Sequence, residues 1–142
     1  MKKLRIMSIA LFLVLALNAL SGTVVYASTL RASPTLNAYS AIITKGNSTG
    51  KIVITYDVAA NTIADSVGVS SMKIYKSDGS YVTTITATNL NGFTDSGVGS
   101  HRNSYTYTGT SGTSYYAEVT VFATIKGVTD SRTVTTNTVK AP

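Results

Sequence analysis

The sequence predicts an all-β fold, a seven-stranded antiparallel β-sandwich, preceded by an N-terminal signal peptide helix. Three observations predict it. Val, Ile, Thr, Tyr and Ser dominate after residue 35, the composition of pleated, half-buried strands. The stretch 115–125 alternates without a break: Tyr115, Ala117, Val119, Val121, Ala123 and Ile125 against Tyr116, Glu118, Thr120, Phe122 and Thr124. Turn signals recur at roughly ten-residue spacing, as in a sandwich of short strands.

The elements follow in order. Residues 28–35 carry no pattern and read as a flexible N-terminus of the mature chain. A first strand runs Leu36 to Thr44 and is turned by Gly46-Asn47-Ser48-Thr49-Gly50. The second, Lys51 to Val58, has apolar Ile52, Ile54, Tyr56 and Val58 on even positions and Lys51, Thr55 and Asp57 between them. Side chains alternate across a strand, so the even set faces the core. Ala59 to Ser66 reads as a polar connection. A third strand lies near Val69 to Ser77, with Met72 and Ile74 as core residues. Asp78-Gly79 is a hairpin signal, and Tyr81 to Thr88 returns as a fourth strand. Asn89 to Gly99 reads as a long loop. A fifth strand spans Arg102 to Thr108, the sixth is the 115–125 alternation, and Lys126-Gly127 turns into a seventh, Val128 to Val139. The sandwich domain therefore covers 36–142.

The first 27 residues predict export. Met1-Lys2-Lys3-Leu4-Arg5 is positively charged. Ile6 to Leu20 is apolar except for Ser8 and Asn18, and Val25-Tyr26-Ala27 sets small residues for cleavage after Ala27. The apolar run is about 15 residues, short of the roughly 20 that span a bilayer. The style resembles Gram-positive bacterial signals. A secreted, extracellular product with no membrane attachment after cleavage is expected.

Composition removes several function classes. With the signal gone, nine Lys and Arg face six Asp and Glu, and the bases are scattered singly. Phosphate recognition clusters its bases on one stripe, so nucleic acid is not an expected partner. There is no Cys, hence no thiol chemistry and no disulfide; a domain of this size can live on burial and backbone pairing.

At the sixth strand a family likeness emerges. Gly112-Thr113-Ser114-Tyr115-x-Ala117-x-Val119-x-Val121-x-Ala123 resembles the start of strand F in a fibronectin type III domain, within the wider immunoglobulin-like class. The resemblance implies the strand order A, B, C, C′, E, F, G. It also makes Tyr115 a tyrosine corner, its hydroxyl bonded to the backbone upstream. The family's usual strand-B Trp is absent, and Tyr56 stands in that region; Ser111 replaces the Pro common before the Gly-Thr pair. The chain also looks like small single-sandwich proteins exported by Gram-positive bacteria, a likeness that carries no activity because function resides in sites.

Catalytic sets are missing from the sequence. A hydrolytic triad needs nucleophile, base and acid, yet the single His101 sits in a Gly-Ser-His-Arg-Asn segment that reads as a solvated loop. A glycosidase needs two opposed carboxylates, and Asp57, Asp65, Asp78, Asp95, Glu118 and Asp130 are explained by turns, loops and outward strand positions. One His cannot make a zinc site. Asn91, Asp95 and Ser96 lack the repeating spacing of a calcium loop. A Lys–Asn isopeptide bond of the kind some surface sandwiches form would need Lys45 or Lys51, Asn137, and Asp57 or Glu118, but those charges fall on outward positions and no motif accompanies them. No enzyme activity, cofactor or metal is expected.

Aromatic phase supplies the candidate surface. Tyr116 and Phe122 point away from the sixth strand's core set, and Tyr75 is opposite in phase to Met72 and Ile74. If those strands pair, the three rings share one outer face, where rings stabilise the sheet or dock a partner. The reading is an extracellular binding or adhesion module for a cell-wall glycan or protein partner, its candidates Tyr75, Tyr116, Phe122 and His101 with the Asn89–His101 loop. The alternative is an assembly subunit pairing through its edge strands, and a small hydrolase built on His101 ranks last.

Overall fold

The computed structural model describes residues 33–88 and 90–142. Among them nine strands run in chain order: β1 (Leu36–Lys45), β2 (Lys51–Ala64), β3 (Ser66–Lys76), β4 (Tyr81–Thr86), β5 (Thr94–Asp95), β6 (Val98–Thr108), β7 (Ser114–Ile125), β8 (Val128–Thr135) and β9 (Val139–Lys140). Two antiparallel sheets result. One has the order β1-β2-β6; the other has β4-β3-β7-β8, with β5 added to β3 and β9 to β7. The fold is all-β and β-sandwich-like.

The alternations behave as their periods demand. On β7, Tyr115, Ala117, Val119, Val121 and Ala123 are buried, while Tyr116, Glu118, Thr120, Phe122 and Thr124 stay partly exposed. On β2, Ile52, Ile54, Tyr56 and Val58 are buried. These two sets join Met72 and Ile74 of β3 and Ile43 of β1 in one apolar cluster that draws on both sheets. Each such Val or Ile contributes about 1.5–3 kcal/mol by leaving water.

Several boundaries differ from expectation. The segment 59–66 is strand, not connection: β2 continues to Ala64 and β3 starts at Ser66, so the chain changes sheets at Asp65. Three alanines and a polar run hid this, and a register shift between Ala59 and Ala64 bends the strand. Residues 89–99 are not wholly loop, because β5 pairs Thr94 with Gly68 and Asp95 with Val67. Phe93 beside it is fully buried. Gly68 makes the approach possible: at φ +147°, a Cβ there would lie 2.1 Å from the Phe93 carbonyl oxygen. The seventh expected strand is broken. β8 stops at Thr135, Thr136 turns inward with its Oγ1 accepting the Ala117 N–H at 3.0 Å, and β9 rejoins β7 opposite Tyr115.

The expected signal peptide lies outside the described residues, as do residues 28–32 of the segment read as a flexible N-terminus. Ser33–Thr35 of that segment are tied to the domain. Thr35 is buried and donates its hydroxyl to the Ala123 carbonyl at 2.8 Å, and Ser33 donates its hydroxyl to Asp130. That Ser33 bond, followed by the Arg132 charge, holds the Asp130 carboxyl below the usual carboxylate range.

Candidate functional site

β3 and β7 are direct neighbours, and their register sets Tyr75 opposite Tyr116 and Lys73 opposite Glu118. The inward residues between them are locked in the core, so these four stand on the outer face. The Tyr75 and Tyr116 rings stack, with centroids 5.2 Å apart and planes 12° from parallel. Tyr81 of β4, opposite Tyr75, meets it edge-on at 5.9 Å and 73°. Its own ring is 60% exposed. Tyr75 donates its hydroxyl to Glu118 Oε2 at 3.1 Å. Desolvation first, then the bond to Glu118 and its charge, push the Tyr75 phenol up, so at neutral pH it is a neutral donor that fixes the carboxylate.

Hydroxyls extend the patch. Tyr81 Oη and Thr84 Oγ1 lie 3.0 Å apart, and Thr120 faces Thr133 across β7 and β8 at 3.4 Å. The arrangement sets aromatic rings beside a carboxylate, a lysine and a field of hydroxyls. It supplies apolar contact and hydrogen bonding side by side.

Of the residues singled out from sequence, Tyr75 and Tyr116 meet. Phe122 does not join them. It lies six residues further along β7, about 20 Å at strand rise, opposite Gly68 and Ser131. Alternation put it on the right face, but only register shows the distance. Tyr81 was missed: counted outward from Asp78-Gly79 it falls opposite Lys76, and only the register shift between Ile74 and Tyr75 sets it opposite Tyr75.

His101 is not in a solvated loop. It sits on β6 opposite Val58, its side chain only 13% exposed. Its Nε2 lies 2.8 Å from the Gly92 carbonyl oxygen, which can only accept, so Nε2 carries the proton. Tyr56 Oη at 3.0 Å and Asn103 Nδ2 at 2.8 Å donate to the same oxygen. The His101 Nδ1 faces Asp95 Oδ2 at 4.0 Å. Beneath this knot Phe93 packs edge-on against Tyr56 and Tyr105. Burial pushes the Tyr56 phenol up to about 12. His101 thus fastens the 90–97 segment over the core, and its ring nitrogens meet Gly92, Tyr56 and Asp95 rather than a serine hydroxyl.

The remaining expectations can be placed as well. Asn91 Oδ1 accepts the Thr88 N–H at 3.1 Å and its Nδ2 donates to the Thr86 carbonyl at 2.8 Å, and Asp95 Oδ1 accepts the Ser96 N–H. Among the described residues, no group of three or more His, Asp or Glu could hold a metal ion. Asn137 bonds the backbone of Ile43 rather than a lysine: its Oδ1 accepts the Ile43 N–H and its Nδ2 donates to the Ile43 carbonyl, both at 3.0 Å. An open depression of about 320 Å³ lies along β1 and β2, lined by Ala38, Tyr39, Ser40, Asp57 and Ala59, with Asp57 its sole charge.

Tyr115 stands at the start of β7, next after Ser114. It is buried, its Oη accepts the Thr110 N–H at 2.8 Å, and a Cβ on Gly109 would stand 2.7 Å from its ring. No protein-family model matches this chain, and no curated protein or solved structure matches it.

Proposed function

We propose that this chain is an exported, non-enzymatic binding module of fibronectin type III-like topology, whose outer tyrosine face docks a cell-wall glycan. The observation that carries the reading is the Tyr75–Tyr116 stack with Glu118 and Lys73 one register step away. Sugar rings present apolar C–H faces rimmed by hydroxyls, and they call for aromatic surface beside donors and acceptors. The exposed Tyr81 ring and the Glu118 carboxylate offer both. The strand orders β1-β2-β6 and β4-β3-β7-β8 correspond to A-B-E and C′-C-F-G, and together with the Tyr115–Thr110 contact they support the family reading. The N-terminal charge and apolar run support export.

The test is co-sedimentation of residues 28–142 with purified peptidoglycan. Wild-type protein pellets with the polymer; Tyr81→Ala and Tyr116→Ala remain in the supernatant, while Phe122→Ala pellets like wild type. Equal retention of all four proteins overturns the assignment. Expression of the full chain in a secreting host, followed by N-terminal sequencing, should begin at Ser28.

A further inference from the structure

Among the described residues the two sheets end on β1, β6, β4 and β8, and on three of these edges side chains hold one outward N–H and one outward C=O. On β1 the outward N–H and C=O of Ile43 are both taken by the Asn137 amide. On β8 the Ser131 N–H is held by Asp130 Oδ1 at 3.0 Å, and its carbonyl accepts Arg132 Nη1 at 2.7 Å. On β4 the Thr86 carbonyl and the following Thr88 N–H are both held by Asn91. In each case side chains occupy an N–H and a C=O that an added strand would use.

The β6 edge is different. The Gly109 N–H bonds the Gly50 carbonyl, so the odd residues of β6 point their backbone groups at β2. The even ones, Ser100, Arg102, Ser104, Thr106 and Thr108, therefore turn theirs outward. Among the described residues one of these groups is held, the Ser104 N–H by Asn103 Oδ1 at 2.8 Å, and no outward carbonyl of the row is. The register from Ser100 to Thr108 has no bulge, and no proline interrupts the strand.

We infer that β6 is a pairing edge for a second copy of this chain, joined antiparallel about a two-fold axis at Thr106. The choice of register follows from the side chains. Centring on Arg102 sets two guanidinium groups opposite each other, which is repulsive. Centring on Thr106 faces Thr106 with its own copy and Ser104 with Thr108, an all-hydroxyl outer row. On the inner face the same register sets Tyr105 against Tyr107 of the other copy, twice over. Both tyrosines are only partly buried in the monomer, and aromatic cross-strand pairs are among the favourable ones. The join forms about six backbone hydrogen bonds, two of which take the Ser104 N–H from Asn103 Oδ1 in each copy, and it turns two three-stranded sheets into one continuous sheet. It lies on the sheet opposite the tyrosine face, so it neither requires nor blocks the glycan reading.

Sedimentation velocity of residues 28–142, from micromolar to millimolar, tests it. The expected result is a monomer–dimer equilibrium with a twofold mass change. Thr106→Pro removes an outward N–H and leaves every β2 bond in place, so it should stay monomeric. Thr106→Lys sets like charges face to face and should do the same, which covers the case in which the proline variant does not fold. Amide exchange at Thr106 and Thr108 should slow with concentration. A monomer at every concentration overturns the inference, and so does a dimer that survives both substitutions.

Discussion

Two tyrosine clusters sit in this domain and are used in opposite ways. In the closed cluster Tyr56 is buried, its hydroxyl is committed to the Gly92 carbonyl, and its ring packs on Phe93. In the open cluster Tyr75 gives its hydroxyl to a carboxylate on the sheet surface, and its ring rests between two others that water still reaches. The difference lies in what surrounds each hydroxyl. A buried polar atom must be satisfied by protein, and Gly92, His101 and Asn103 accomplish that without leaving a free group. A surface hydroxyl has water as an alternative, so its partners can be exchanged for a ligand. The first cluster should therefore govern stability and the second binding.

The largest test of that contrast is Phe93→Ala. It opens a cavity under the 90–97 segment and should lower unfolding free energy by about 3–5 kcal/mol in urea denaturation. Tyr116→Ala should cost under about 1 kcal/mol in the same measurement, since only a cross-strand pair is lost. A reversed order would break the division.

Alkaline titration comes next. The Tyr56 phenol ionises near 10 in the unfolded chain but resists to about 12 when folded. The unfolded state then holds fewer protons between those values, so stability is full below pH 10 and falls as pH rises toward 12, by about 1.4 kcal/mol per unit. Thermal melts of Tyr56→Phe should lack that fraction of the slope. Tyr115→Phe leaves the Thr110 N–H without its acceptor and should cost about 1–2 kcal/mol at neutral pH, measured by guanidinium midpoint. The smallest effect is Tyr75→Phe. It frees Glu118 and should leave the urea midpoint close to wild type, yet weaken peptidoglycan retention. If retention is unchanged, the ring rather than the Glu118 contact carries binding.

Much of this was legible along the chain because strand faces follow a period of two. The inward set of β7, the even set of β2 and the Asp78-Gly79 turn are local patterns, and Tyr75 and Tyr116 could each be assigned to the outward side of its own strand from phase alone. Phase does not carry distance, however, so Phe122 was grouped with rings about 20 Å away. His101, Phe93 and Gly92 were illegible for a related reason. Their partners are a carbonyl, a ring and an amide contributed by segments that meet only when β5 docks on Gly68.

By itself, the order of residues determined which side chains seek the interior and where the chain turns, because burial and backbone geometry act over a few neighbouring positions. Tertiary structure alone decided which strands lie side by side, which edges are sealed and which hydroxyl meets which acceptor. Those outcomes depend on register between segments tens of residues apart, and register is set by the packing of both sheets at once.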